Sequence, residues 1–266
     1  MIAERNLKVS LIISTYNWPQ ALELCLLSAR DQTLLPDEIL IADDGSRQET
    51  LQLISSFKNN LTIPLIHVWH EDKGFRKAIA LNNAVKKSSG DYIVQIDGDV
   101  ILDAHFIQDH IASAEEQVFL RGTRALLSPD KTKKLIDEKK IELNVFSSGV
   151  LNRNNALRSS LLRKAGARKE MSGRSVRGSN LSYWKSDFIK VNGYNNDLTG
   201  WGHEDEELAT RFINNNIVKK IIKLCAVQYH LHHPIASQNN EPLHRKAVDE
   251  VRAGKIKFCI NGYNKL

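Results

Sequence analysis

Residues 8–14, Lys-Val-Ser-Leu-Ile-Ile-Ser, form a near-continuous apolar run of strand length. The turn Thr15-Tyr16-Asn17-Trp18-Pro19 follows, with Pro19 placed where a first helical residue belongs. Leu22, Leu26, Ala29 and Gln32 then recur on one helical face. Pro36 stops that helix, and residues 38–42 read as a second strand ending in Asp43-Asp44-Gly45-Ser46. The pattern predicts a helix over 47–57, a strand over 63–69 and a helix over 77–88 with Ala78, Leu81, Asn82 and Val85 inward. Residues 92–96 make a fourth strand, and 204–214 a later helix with Leu208, Phe212 and Ile213 apolar. Apolar strands joined by helices predict a parallel sheet covered on both faces. Ligands of such sheets bind beyond the carboxyl ends of the strands. Ser14-Thr15, Asp43-Asp44, residues 70–76 and Asp97-Gly98-Asp99 all fall at those ends.

Composition narrows this picture. With 266 residues, 42% of them hydrophobic, the chain can bury a substantial core, and disorder is not expected. No apolar run approaches the ~20 residues that span a bilayer. Met1-Ile2-Ala3-Glu4-Arg5-Asn6 lacks the apolar stretch of a signal peptide. Cys25, Cys225 and Cys259 are far apart and fit no C-x-x-C pattern, so reduced, buried thiols and a cytoplasmic setting are expected.

The net charge of +6 is unevenly spread. Between residues 151 and 177, eight Lys and Arg stand against Glu170 alone. Such a segment suits an anionic membrane, a phosphorylated substrate or nucleic acid, and equally a solvated loop. It contains no aromatic residue, which argues against single-strand binding, and no nucleic-acid partner is expected. Beyond Pro234, His244, Arg245, Lys246, Arg252, Lys255 and Lys257 mix with Ala247, Val248, Val251, Ile256 and Phe258. That amphipathic stretch suits peripheral membrane contact or packing back on the domain.

Asp97 and Asp99 are two positions apart, so in extended chain they point the same way, and Gly98 lets the backbone bend between them. Two carboxylates at a strand end suit Mg2+ or Mn2+ with positions open for phosphate oxygens. The same residues also suit an acidic turn capping the next helix. Four polar clusters on one rim favour the nucleotide site. In residues 227–234 the strand pattern puts His230 and His232 on one side and turns His233 away. These histidines suit a metal, an acceptor pocket or simple packing against Pro234. Glu204-Asp205-Glu206-Glu207 opens the 204–214 helix, where acidic residues complement the helix dipole in any case. The dipole does not explain the preceding Gly200-Trp201-Gly202, whose glycines permit close approach around an indole that stacks on a sugar or fills a core.

The ordered segments V-S-L-I-I-S-T-Y-N, I-L-I-A-D-D-G-S, G-F-R-K-A-I-A-L-N-N-A-V and G-D-Y-I-V-Q-I-D-G-D-V resemble family 2 glycosyltransferases of the GT-A fold over residues 7–110. Residues 176–235 are similar to the acceptor-side segment of β-1,4-galactosyltransferases and bacterial chondroitin-type polymerases. Their G-W-G-x-E-D pattern is met by Gly200-Trp201-Gly202-His203-Glu204-Asp205. The resemblance implies that Thr15 and Asp43 contact the nucleotide base, with Asp44 near the ribose or shaping the loop. Arg76 then reaches a phosphate or positions Asp97. Asp99 is implied as direct metal ligand, Asp97 as a ribose or water-mediated contact, and His230 as the further ligand with His232 second. Asp205 is implied as general base, with Glu204, Trp201 and Asn180 on the acceptor. His203 replaces the second glycine of the common G-W-G-G-E-D, so donor identity is not implied.

The resulting expectation is an α/β chain with a GT-A, Rossmann-like, mostly parallel central sheet flanked by helices. One domain is expected over 1–266, with a nucleotide-sugar half at 1–110, an acceptor half at 111–235 and a basic extension at 236–266. The expected reaction is metal-dependent, inverting transfer from a nucleotide sugar, UDP being favoured, using Mn2+ or Mg2+. The expected acceptor is a glycan or glycolipid such as a lipopolysaccharide-core or capsule precursor, met in the cytoplasm at or near the inner membrane face. One alternative is a galactosyl- or N-acetylgalactosaminyltransferase building a repeat polysaccharide. Another is a non-catalytic nucleotide- or glycan-binding module, which would be expected to lose Asp99 or Asp205; this chain has both.

Overall fold

The computed structural model describes residues 7–234 and 240–265. The Met1–Asn6 stretch and residues 235–239 of the basic extension lie outside them. The chain runs β1 (Val9–Thr15), α1 (Pro19–Arg30), β2 (Glu38–Asp43), α2 (Gln48–Lys58), β3 (Leu65–Trp69), α3 (Lys77–Lys87) and β4 (Tyr92–Asp97). It continues through β5 (Val100–Leu102), α4 (Phe106–Ile111), β6 (Val118–Arg121), β7 (Ala125–Leu127), α5 (Pro129–Glu138), β8 (Val150–Leu151) and β9 (Arg168–Glu170). The last elements are β10 (Asn180–Trp184), α6 (Lys185–Lys190), α7 (Glu204–Asn214), β11 (Val218–Ile221), β12 (Gln228–His230) and α8 (Glu241–Ala253). Two sheets form, ordered β3-β2-β1-β4-β10-β6-β11-β9 and β5-β12-β7-β8.

Side-chain alternation along β1, β2 and β4 divides the core. Leu11, Ile13, Ile39, Ile41, Val94 and Ile96 face α1, α2 and α4, burying Leu22, Leu26, Ile54 and Phe106. Ile12, Leu40, Ala42 and Ile93 face the other way, onto α3, α6 and α7, burying Leu81, Val85, Phe188, Leu208 and Phe212. Both faces of these strands are therefore dry, as parallel strands between helical layers require. The small sheet closes a third cluster with α1 and α5 through Leu24, Ile101, Leu127, Leu135 and Tyr229.

β3, β2, β1 and β4 are parallel, so four carboxyl ends share one rim. β10 is inserted antiparallel beside β4 and β6. It delivers the chain before Asn180 to that same rim, because Asn180 pairs with Ile96 at the end of β4. The first four strands and their helices match the pattern read from the sequence. Much of the second half does not show in the pattern. β5 to β9, β11 and β12 are two to four residues long, too short for period 2 to register.

The basic segment is partly tied down. Arg168–Glu170 forms β9 against β11, and Arg158 clamps Asp109 with bonds of 2.8 and 2.9 Å. Of the two readings of the C-terminal stretch, α8 takes the one that packs back. Val248 and Val251 are buried, and Asn214 on α7 donates to the Val251 carbonyl at 3.1 Å. Among the described residues no helix is long and apolar enough to cross a membrane. Cys25, Cys225 and Cys259 are buried and unpaired.

α7 carries an ion pair buried inside the protein, and its arginine ties the helix to the Val191 backbone. Arg211, fully buried, donates to both Glu207 oxygens at 2.9 and 2.6 Å and to the Val191 carbonyl at 2.7 Å. Removing one partner leaves a desolvated charge. Arg211→Ala is expected to lower unfolding free energy by about 3–5 kcal/mol in a urea titration. The double variant Glu207→Leu/Arg211→Met should recover most of it. A loss under about 1 kcal/mol for Arg211→Ala would show that this buried pair and its Val191 bond do little to stabilise the fold.

Candidate active site

The rim of the large sheet gathers the acidic clusters. On β1, Ser14 donates from its hydroxyl to Asp97 Oδ1 at 2.8 Å. Lys77, the first residue of α3, donates to the same oxygen at 2.6 Å. Burial opposes charge on Asp97, but Lys77 and Ser14 outweigh it and hold the carboxyl below its ordinary range. Burial also opposes charge on Lys77, and Asp97, Asp205 and Glu204 together outweigh it and raise that pKa. One ammonium therefore balances three carboxylates drawn from β4 and α7. Gly98 is needed where it sits: a Cβ there would lie 3.0 Å from the Ser14 carbonyl, which accepts the Gly98 N–H at 2.7 Å.

Asp43 and Asp44 shape the base-side loop. Asp43 is 1% exposed; it accepts from Ser46 N at 2.8 Å and meets His67 Nε2 at 2.7 Å. Asp44 meets His70 Nε2 at 2.7 Å and accepts from Arg76 N at 2.7 Å. Its loop-shaping role is thus visible. Asp43, expected on the nucleotide base, instead points both oxygens into the protein. Gly45, at φ +92°, allows the Asp72 backbone to approach so closely that a Cβ would lie 2.5 Å from the Asp72 Cα. Thr15 pairs in register with Asp43, and its carbonyl accepts from Asp44 N at 3.1 Å.

The expected role of Arg76 passes to its neighbour. Arg76 lies at the N-cap of α3, where its guanidinium turns back to the Glu71 carbonyl and its buried Nε has no partner. Lys77, one residue on, projects from the first turn into the carboxylates. The sequence puts both cations side by side, and only the helix start distinguishes them.

β5 pairs antiparallel with β12, His230 opposite Val100, and the Asp99 carbonyl accepts from Leu231 N at 2.9 Å. This pairing carries the histidines to Asp99. His230 Nε2 lies 3.5 Å and His233 Nε2 3.2 Å from Asp99 Oδ2. The potential ligand atoms of Asp99, His230 and His233 all lie within 4.8 Å of one another. Asp99 Oδ1 is buried without a partner, which fits a position kept for a cation. Burial pushes the His230 pKa down, favouring the neutral ring a metal requires, whereas the hydrogen bond to Asp99 pushes His233 up.

The placement of His232 is a correction. β12 ends at His230, so the alternation that would align His230 with His232 stops there. His232 is exposed, and its N–H donates to Thr132 Oγ1 at 2.8 Å. His233 turns inward instead, its ring edge-on to Trp18 at 5.8 Å.

Glu204 and Asp205 open α7. His203 at its N-cap has φ +64°, Gly202 has φ +113° and Gly200 φ +95°. The glycines thus serve a left-handed path that presents Trp201, 39% exposed, at the surface. His244 on α8 braces the loop through the Gly202 carbonyl at 2.5 Å and the Thr199 carbonyl at 3.1 Å. Asp205 Oδ2 accepts from Gly178 N at 2.6 Å, and Oδ1 from the Tyr194 hydroxyl at 2.8 Å. Gln95 of β4 donates to that hydroxyl at 2.9 Å. A Cβ on Gly178 would fall 2.4 Å from Asp205 Oδ1, so only glycine fits there. Burial raises the Asp205 pKa; burial and then Asp205 push Glu204 up to about 7.

Asn180, expected on the acceptor, is committed to the protein. Its amide donates to the Thr123 carbonyl at 2.8 Å and the Ala226 carbonyl at 3.0 Å, and its oxygen meets His110 Nε2 at 3.0 Å. It is 2% exposed and locks β10 to its neighbours. His233, which the strand pattern turns away, joins the site, and Lys77, Gln95 and Tyr194 escaped sequence reasoning altogether. Of these last three, none stands in a motif with metal or acid–base spacing, and each reaches the site only through tertiary packing.

The family model described as glycosyl transferase family 2 matches residues 10–147, and that described as the N-terminal domain of galactosyltransferase matches residues 163–234. Validoxylamine A glucosyltransferase of Streptomyces hygroscopicus subsp. limoneus is 28% identical over 220 residues, covering 76% of this chain and 47% of that protein. Chondroitin synthase of Escherichia coli is 23% identical over 242 residues, covering 85% of this chain and 35% of that protein. The chain thus spans about half or less of the length of these relatives. TarS 1–349 of S. aureus in complex with UDP superimposes with a TM-score of 0.62 at 16% identity, over 93% of this chain and 68% of that one. GalNAc-T7 with UDP, GalNAc and Mn2+ gives 0.62 at 14%, over 86% and 45%. The mixed sheet flanked by helices is that of GT-A glycosyltransferases. The chain belongs to glycosyl transferase family 2.

Proposed function

We propose that this protein transfers a sugar from a UDP-sugar to an acceptor hydroxyl by a single displacement that inverts the anomeric centre. The observation that carries the reading is the junction at β4, where Lys77 donates to Asp97 on the donor rim at 2.6 Å and Gln95 donates at 2.9 Å to the Tyr194 hydroxyl that holds Asp205 of α7. It ties the two motif sets into one site. The UDP complexes among structures of the same fold support the donor class.

Asp99, His230 and His233 would hold the divalent ion, Mn2+ or Mg2+, and two imidazoles favour Mn2+. When bound, the ion supplies Lewis-acid neutralisation of the charge on the departing diphosphate. Asp205 is the base. The acceptor oxygen bonds to the anomeric carbon as that carbon's bond to the diphosphate oxygen breaks, and the hydroxyl proton passes to Asp205. Gly178 N–H and Tyr194 hydroxyl fix the carboxylate, while each oxygen keeps a lone pair free. Glu204, beside it, accepts an acceptor hydroxyl, and Trp201 offers its ring to a sugar face. Asp97, kept ionised by Lys77, serves the ribose. The acceptor is a surface-glycan precursor of lipopolysaccharide-core or capsule type. The galactosyltransferase-type match over 163–234 and the chondroitin synthase relative favour galactosyl or N-acetylgalactosaminyl transfer as the second reading. Turnover with each UDP-sugar in turn discriminates the donors.

Asp205→Asn preserves shape but removes basicity. Its kcat should fall roughly 10²–10⁴-fold, with UDP affinity nearly unchanged. Product of retained configuration, or near-normal kcat in Asp205→Asn, would overturn the assignment and leave Glu204 as base. The acidic limb of kcat/KM should lie above the ordinary carboxylate range, because burial raises the Asp205 pKa, with activity rising as pH increases through it. Glu204→Gln removes one negative charge and should move the limb to lower pH.

The ligand set is checked by Mn2+ titration calorimetry. His233→Ala should weaken Mn2+ binding by about tenfold or more, as should Asp99→Ala, while His232→Ala should match the parent. Excess chelator should abolish turnover, and added Mn2+ restore it. Full turnover in chelator, or a loss in His232→Ala instead of His233→Ala, would sink this assignment.

A further inference from the structure

A cavity of about 310 Å3 opens beside the site, and its charged lining is all of one sign. Arg121 and Arg124 come from the end of β6 and the turn after it, Arg177 from the loop before β10, and Lys223 from beyond β11. Asn152 and Asn155 complete the polar wall, and no Asp or Glu lines it. Arg124 Nε is buried without a hydrogen-bond partner. Arg121 spends its Nε on the Ser175 carbonyl at 3.1 Å. Among the described residues no ion pair involves any of these four cations. Glu170, the carboxylate that acts on Arg121, is already held by Lys219 and Arg168, each at 2.7 Å. Burial, and then the repulsion of Arg177, lowers the pKa of both Arg121 and Arg124. Clustered cations, Arg121 and Arg124 of them partly dehydrated, that form no ion pair among the described residues raise the free energy of the empty protein, and an anion would relieve it.

The cavity's walls say which substrate brings that anion. Arg177 directly precedes Gly178, whose N–H holds Asp205, so the cavity adjoins the base. Asn180 separates it from β4. A group bound in the cavity therefore lies next to the carboxylate that an acceptor hydroxyl must reach. Guanidinium forks match planar and tetrahedral oxyanions with paired hydrogen bonds.

We propose that the Arg121–Arg124–Arg177–Lys223 cavity binds an oxyanion carried by the acceptor, a phosphate or a uronic carboxylate, so that the enzyme acts on an anionic glycan. This rests on the donor and base assignments proposed above. Held there, the anion would orient the acceptor with its hydroxyl toward Asp205.

The probes are inorganic phosphate and glucuronate, each titrated calorimetrically into the protein already saturated with UDP and Mn2+. At least one should bind. Arg121→Ala and Arg177→Ala should each weaken that binding by roughly 10- to 100-fold, while leaving UDP affinity unchanged. Lys246→Ala, on the exposed face of α8, should match the parent. Arg177 and Lys223 are exposed, so Arg177→Ala/Lys223→Ala tests the cavity even where Arg121→Ala fails to fold. Tighter binding of phosphate assigns a phosphate-bearing acceptor, and tighter binding of glucuronate a uronate; either supports the proposal. Binding of neither, or binding indifferent to the arginines, overturns it while the donor reading stands. Phosphate that binds without UDP and is expelled by it gives the cavity to the donor diphosphate and overturns the proposal. Failure of UDP itself to bind overturns the donor reading, and the acceptor assignment falls with it.

Discussion

Lys77 is the constraint around which this site is built. Its ammonium lies 2.6 Å from Asp97 and within electrostatic reach of Asp205 and Glu204. Without it, carboxylates from β4 and α7 would face one another in a space largely closed to water. Such charges neutralise by taking up protons or force the elements apart. With it, the acids separate by role. Asp97 is held ionised, whereas burial leaves Glu204 and Asp205 with raised pKa values. A guanidinium would not serve as well: the ammonium is compact enough to sit at a strand end and point at one oxygen.

The backbone does the rest of the positioning. The parallel register of β1, β2 and β4 aligns Ser14, Asp43 and Asp97 on one rim without any special sequence. Bringing Asp99 to histidines far along the chain requires the three-residue pairing of β5 with β12. Bringing Asp205 beside β4 requires α7, whose start is bent by Gly200 and Gly202 and whose body is pinned by Arg211. α8 then covers the outside of that loop through His244. His203 joins the same brace, meeting Glu241 Oε1 at 3.0 Å. The residue that breaks the common G-W-G-G-E-D pattern thus ties the catalytic loop to the C-terminal helix.

The pattern of the first hundred residues made their fold legible because long dry strands and helices repeat there with clear periods. Ser14, Asp97, Asp99 and the α7 acids could be located from strand ends and a helix start alone. The misplaced residues share a physical cause. His232 was paired with His230 by an alternation that ends with β12. Lys77 rather than Arg76 meets Asp97 because one step past a helix N-cap turns the side chain by ~100°. Asn180 was assigned to a ligand, yet a buried amide on an inserted antiparallel strand must first satisfy its neighbours. Tyr194 and Gln95 carry no local signature, since their value lies in a hydrogen bond relayed to Asp205.

Charge is sorted in space as well as balanced. Acidic groups concentrate where β4 ends and α7 begins, and unpaired basic groups gather past Asn180 at the end of β6. The strand between them, β10, runs opposite to its neighbours and so brings both its preceding loop and its own start to the rim. Gly178 of that loop faces the acids while Arg177, one residue earlier, faces the cations. A single turn, closed by Asn180 N on the Arg177 carbonyl, thus gives its Gly178 N–H to Asp205 and its Arg177 side chain to the cavity. An antiparallel insertion into an otherwise parallel rim therefore does more than extend the sheet. In the proposed reaction it lets one loop hold the carboxylate assigned as base and, on its other side, present the charge that would align the acceptor.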